Sequence, residues 1–184
     1  MSIQFVIFGA ALLSLGMSEA AGSARQFGSQ RLSPPAEASC RFSDGKTITV
    51  NYSSPQVRGR EIFGHLVPYD EVWILGANEA TTFDTTANVT AGGKDVPAGN
   101  YTLFAIPNPN SWTLILSKST REEIGRMSHY PGQSSDFARL PMTNSKLPSK
   151  QEDFTISFDS SDNGCTMHFD WELTRASISI TERK

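Results

Sequence analysis

The stretch from Arg58 to Phe83, RGREIFGHLVPYDEVWILGANEATTF, concentrates residue types that bind ligands and do chemistry. Arg58 and Arg60 stand close together, ahead of Tyr69, Trp73, Asn78 and Glu79. A guanidinium can meet a carboxylate through two parallel charge-assisted hydrogen bonds, so Arg58 or Arg60 against Glu79 would pin a loop firmly. The same groups, with Tyr69 and Trp73 as an aromatic wall, would line a polar pocket of the kind that takes a sugar or a small anion. Ion pairs also order loops without any ligand, which makes the Gly76-Ala77-Asn78-Glu79 turn an architectural joint on the simpler reading. A third chemistry is acid–base hydrolysis, with Glu79 and either Asp70 or Glu71 converging within roughly 5 to 10 Å in an open cleft.

The three histidines are His65, His129 and His168. His168, Asp170 and Glu172 alternate along one polar strand face. Same-face side chains on a strand lie about 6.6 to 7 Å apart, so one ion would need help from a neighbouring strand. A solvated strand face accounts for the three equally well, and neither a metal nor a cofactor is expected. His129 falls in a loop-like His-Tyr-Pro-Gly setting. No Gly-x-Ser-x-Gly elbow, His-Glu-x-x-His pair or phosphate-cradling glycine loop occurs. That tells against the commonest hydrolases, but not against triads or carboxylate pairs assembled from distant positions.

The elements that must position these residues are strands. After Ala38 the apolar residues recur with period two, the pattern of half-buried β-structure. Ser39–Phe42 and Thr47–Tyr52 flank an Asp44-Gly45 hairpin turn, with Ile48, Val50 and Tyr52 on one face. Val72–Leu75, Asn88–Ala91, Tyr101–Ile106 and Trp112–Ser117 read as further strands. Tyr101–Ile106 is apolar on both faces and belongs in the middle of a sheet. Near the C-terminus Phe154, Ile156 and Phe158 precede an Asp-Asn-Gly turn. Then Cys165, Met167, Phe169, Trp171 and Leu173 share a face, and Ala176, Ile178 and Ile180 follow a break at Thr174-Arg175. Three antiparallel strands in succession are expected there. Only Arg121 to Met127 suggests a helical turn. The fold class is therefore all-β, a single antiparallel β-sandwich of jelly-roll or immunoglobulin-like type. A barrel is the alternative that periodicity leaves open.

The chain of 184 residues has a net charge of −3, with 19% charged and 38% hydrophobic residues and no long basic run, so no nucleic-acid partner is suggested. Phe5 to Met17 is an uncharged apolar run followed by small residues around Ala20, the pattern of a cleaved secretory signal over residues 1–20. A membrane span would need about 20 apolar residues, so no stable span is expected after cleavage. Residues 21–37 read as a flexible leader and 38–184 as one domain, secreted or periplasmic. In an oxidising compartment Cys40 and Cys165 are expected to pair, closing a loop worth roughly 4 to 5 kcal/mol in chain entropy. Two separate buried thiols are the alternative.

Several segments resemble, in order, the signature of a bacterial exported family, domain of unknown function 2911. They are Tyr52-Ser53-Ser54-Pro55, Arg58 to Gly64, Leu66 to Tyr69, Gly76 to Phe83, Val96 to Phe104, Trp112 to Ile115 and Phe154 to Phe158. The likeness runs from about Ser39 to Ile180. The family usually carries an arginine where Ile74 stands, so Arg58 or Arg60 would have to serve the turn instead. A Gly-Gln-Trp-Gly-like stretch common in the family is missing between Ser119 and Tyr130. The resemblance implies a secreted or periplasmic β-rich domain and carries over no catalytic residue.

The expected function is a non-catalytic module that binds a small molecule, a glycan or an envelope protein through Arg58, Arg60, Tyr69, Trp73, Asn78 and Glu79. A carboxylate-based hydrolase and a purely structural domain are the alternatives.

Overall fold

Two antiparallel sheets face each other across a shared apolar core in the computed structural model, which describes residues 31–124 and 129–184. The signal-peptide reading of residues 1–20 and most of the leader lie outside the described residues. The strands are β1 (Pro35–Arg41), β2 (Thr47–Ser53), β3 (Thr81–Thr85), β4 (Val89–Ala91), β5 (Lys94–Val96), β6 (Gly99–Ile106), β7 (Thr113–Ser117), β8 (Asp136–Pro141), β9 (Thr143–Ser161) and β10 (Gly164–Glu182). One sheet has the order β1-β2-β3-β6-β7-β8 and the other β5-β4-β10-β9. The architecture is thus a β-sandwich, and the barrel alternative falls away.

Local chemistry explains the hairpins. At Gly45 φ is +93°, and the Lys46 amide donates to Asp44 Oδ1 at 3.0 Å, so the Asp-Gly pair turns the chain as expected. β1 starts at Pro35, and the flexible reading of residues 21–37 therefore fails for Pro35–Glu37, which pair with Asn51–Ser53 of β2. Ile48, Val50 and Tyr52 are buried, while Thr47, Thr49 and Asn51, which alternate with them, are half-exposed.

β6 lies inside the six-stranded sheet, between β3 and β7. Its Leu103 and Ala105 belong to the main core, whereas Phe104 packs in a second cluster with Ala80, Ile115, Ile124, Val72 and Ile74 on the outer face. Burial on both faces is why this strand carries no polar alternation. The expected helical turn is present as α1, Arg121–Ile124, and the residues from there up to Met127 lie outside the described residues.

Two expectations need correction. Val72–Leu75 is not a strand. Only Trp73 pairs, exchanging both backbone hydrogen bonds with Ala105 at 2.7 and 2.9 Å. β3 covers β6 only as far as Leu103, and Trp73 satisfies the backbone groups left open beyond that point. At the C-terminus, β10 runs through the expected break at Thr174-Arg175 rather than ending there. Its register against β9 shifts on both sides of Glu172, which has φ +55°. The bulge reverses the inward parity, so Cys165, Met167, Phe169 and Trp171 are buried before it and Ala176, Ile178 and Ile180 after it. Leu173, expected with the inward set, is exposed instead.

β10 also folds back on itself at this bulge. Asp170 accepts two hydrogen bonds from Arg175, at 2.7 and 2.6 Å, and His168 Nδ1 lies 2.7 Å from Ser177 Oγ. His168 and Asp170 are consequently buried, not arrayed on a solvated face. Cys40 on β1 and Cys165 on β10 sit at disulfide distance, with Cα atoms 6.6 Å apart, and tie the two sheets together. The Ile156 amide donates to Tyr52 Oη at 3.1 Å across the same interface.

Candidate functional site

An open cleft of about 480 Å³ is lined by residues 32–33, by the loop after β2, and by the irregular segment before β3. The polar lining is Ser33, Gln56, Arg58, Arg60 and Asn78. Its apolar wall comes from Leu66, Val67, Trp73, Ile74 and Trp171. No carboxylate is among these lining residues, and two arginines are, so the lining charge is positive. At this size and composition the cleft falls in the range of small-molecule sites.

The loop after β2 is anchored before it reaches the arginines. Ser54 Oγ donates to the Phe154 carbonyl at 2.7 Å, and backbone bonds join Val57 to Glu152 and Phe154 to Pro55. Arg58 has φ +48°, and its amide donates to Glu152 Oε1 at 2.8 Å. Its Nε donates to Gln56 Oε1 at 3.2 Å and its Nη2 to the Leu32 carbonyl at 2.9 Å. Arg60 curls back onto its own loop, with Nε and Nη2 donating to the carbonyls of Val57 and Gln56. Each guanidinium has five N–H donors, so both retain donors beyond these two bonds.

Across the cleft the chain turns through Leu75 (φ +53°), Gly76 (φ +150°) and Asn78 (φ +61°). A Cβ at Gly76 would stand 2.9 Å from the Ser53 carbonyl, so this position requires glycine. Thr81 Oγ1 donates to the Leu75 carbonyl at 2.7 Å and closes the turn. Asn78 tolerates the left-handed conformation, and its Nδ2 donates to the Ser33 carbonyl at 3.0 Å. The floor is aromatic where Trp73 and Trp171 line it, and these two indoles are backed by Phe63, Trp112 and Phe154 through edge contacts.

Four of the six residues singled out in the sequence therefore meet at one cleft: Arg58, Arg60, Trp73 and Asn78. Glu79 and Tyr69 do not line it. The expected pair of Glu79 with Arg58 or Arg60 is replaced by an ion pair with Arg31, supported by Ser53 Oγ donating to Glu79 Oε2 at 3.3 Å. Arg31 precedes the first strand, and nothing in local spacing links it to a residue 48 positions on. Tyr69 is exposed, with its ring against Gly64. Asp70 accepts from Asn108 Nδ2 at 2.8 Å, and neither it nor Glu71 lines the cleft, so the carboxylate-pair geometry required for hydrolysis is not assembled there. Sequence reasoning missed Leu32, Ser33 and Trp171, which come from separate parts of the chain with no motif to announce them, and passed over Leu66 within the motif itself.

Among the described residues, the groups whose pKa departs clearly from its ordinary value do not line the cleft. Burial pushes the Tyr52 phenol and the Asp84 carboxyl above their ordinary values. Among the described residues no group of three or more His, Cys, Asp or Glu side chains is placed to hold a metal ion, and no helix is long and apolar enough to cross a membrane.

The molecule is a two-sheet β-sandwich with an arginine-lined cleft at the side of its core. Residues 33–180 match the protein family described as "Protein of unknown function (DUF2911)", and the chain belongs to that family. No curated protein and no solved structure matches it.

Proposed function

We propose that this is an exported domain whose arginine-lined cleft binds, without transforming it, a small anionic or strongly polar molecule with a flat apolar body. The single observation that carries the reading is the convergence of Arg58, Arg60 and Asn78 around a floor of Trp73 and Trp171 in a cleft of about 480 Å³. Arginine donors orient carboxylate, phosphate or sugar oxygens, and the indoles offer apolar area against which a ring or chain can lie. A concave site of this size favours a small molecule or a short glycan over a flat envelope-protein surface.

Export rests on the sequence pattern of residues 1–20, with the Cys40–Cys165 pair compatible with an oxidising compartment. N-terminal sequencing of the secreted product should begin shortly after Ala20 or Ala24. Retention of Met1 would count against a cleaved signal.

The binding reading is tested by thermal unfolding of the purified protein against carboxylates, phosphates and short cell-wall glycans. At least one should raise the melting temperature, with the rise lost in Arg60→Ala and in Asn78→Ala. Shifts that persist unchanged in both variants, or none at millimolar ligand, would exclude the cleft as the site.

A further inference from the structure

We infer that Ser177 is an activated nucleophile, with His168 as its general base and Asp159 as the residue that positions the imidazole, giving the protein an acyl-ester hydrolase activity at a second cleft. Ser177 Oγ lies 2.7 Å from His168 Nδ1, and His168 Nε2 lies 3.0 Å from Asp159 Oδ2. A carboxylate can only accept a hydrogen bond. Nε2 therefore carries the proton toward Asp159, leaving Nδ1 as the acceptor for the Ser177 hydroxyl. That is the tautomer a general base needs, though the two ring nitrogens are used in the opposite sense from the familiar serine-protease arrangement.

The three residues come from one bent ribbon. His168 and Ser177 lie on opposite arms of β10, brought together by the bulge at Glu172, and Asp159 reaches across from β9. The bidentate Arg175–Asp170 pair locks the bend one step closer to its apex. His168 is buried, so its ring is held, while Ser177 is half-buried and opens onto a cleft of about 370 Å³. That cleft is lined by Thr90, Thr143, Thr166, Ser179, Thr181 and the Gly92-Gly93 turn, among others, and by no ionisable side chain. A neutral, polar, short-chain ester fits such a lining. The hydroxyl-bearing side chains of the lining, Thr90, Thr166 and Thr181 among them, would supply the donors for the oxyanion that develops on the carbonyl oxygen.

The reaction closes without a cofactor. Ser177 Oγ attacks the ester carbonyl carbon as His168 Nδ1 takes its proton. The tetrahedral adduct expels the alcohol, which leaves with that proton, and an acyl–Ser177 ester remains. Water then attacks the acyl carbon, giving up a proton to Nδ1. The carboxylic acid departs and the proton returns to Ser177 Oγ.

The test is covalent labelling of the oxidised full chain with a fluorophosphonate, read by peptide mapping, alongside p-nitrophenyl acetate turnover. Labelling is expected on Ser177, blocked in Ser177→Ala, and slowed about 100-fold in His168→Gln, the scale of general-base assistance. Asp159→Asn should slow labelling by a smaller factor while thermal unfolding remains at the parental temperature. An unlabelled Ser177 in the folded parent protein overturns the inference, as does a His168→Gln variant that folds and labels at the parental rate. The peptide map of the parent decides the matter even if a variant does not fold.

Discussion

The indole of Trp73 stacks on that of Trp171, with ring centroids 5.7 Å apart and planes 16° from parallel. Trp171 lies deep in the core on β10, whereas Trp73 belongs to the irregular segment that lines the cleft, so this contact fixes the cleft floor to the sandwich. Truncation to Trp73→Ala removes the stack and leaves a cavity beside Phe63, Trp112 and Phe154. The expected loss is about 3 kcal/mol, at the low end for a tryptophan because Trp73 is half-buried. Urea unfolding followed by fluorescence measures it, and Trp73→Phe should recover a good part.

Glu79→Gln is expected to cost little. Arg31 is half-exposed and Glu79 a quarter exposed at the side chain, which places their pair among partly solvated ion pairs. Such pairs contribute about 0.2 to 1 kcal/mol, against the several kcal/mol lost when a fully buried charge is stranded. Equilibrium unfolding of the two proteins at low and high salt checks both the size and its screening. A loss above about 2 kcal/mol would mean that Glu79 anchors more of the turn than exposed pairing explains.

Cys40 and Cys165 are 125 residues apart, so their bond closes most of the folded chain into one loop. Reduction, or the double replacement Cys40→Ser/Cys165→Ser, should lower stability by about 4 to 5 kcal/mol through the freed unfolded chain. The difference in guanidinium midpoint between oxidised and reduced protein reports it. A midpoint that does not move would show that the two sheets hold together without the bridge.

Burial pushes the Asp84 carboxyl above its ordinary value of 3.8, and a hydrogen bond from Thr82 offsets part of that rise. A carboxyl raised in the folded state favours folding below its unfolded pKa and loses that contribution as pH climbs through the folded one. Asp84→Asn should therefore melt higher than the parent at pH 7. The gap should shrink as pH falls toward the ordinary carboxylate range, where the parental Asp84 becomes neutral as well. A melting difference independent of pH would refute the desolvation account.

Alternation of apolar residues made the strands legible, because a strand buried on one face must place its apolar side chains every second residue. The hairpin at Asp44-Gly45 and the doubly apolar β6 could be read for the same reason. Val72–Leu75 misled because its apolar run is buried by packing against β6 and the outer cluster, with only one residue in register. The C-terminal strand misled differently. A single residue in the left-handed region at Glu172 inserts a bulge, and Glu172 is not a residue type that signals one.

The same division holds for the sites. By itself the sequence determined the class of fold, the hairpin turn at Asp44-Gly45, the membership in its family, and four residues of the cleft. The tertiary structure alone decided their partners. Glu79 meets Arg31, Trp73 meets Trp171, and Asp159, His168 and Ser177 come into line. Sequence periodicity reports which face of a strand is buried, through local steric and hydrophobic rules. Contacts between residues tens of positions apart depend on how the sheets pack and where a ribbon bends, and no local rule encodes those distances.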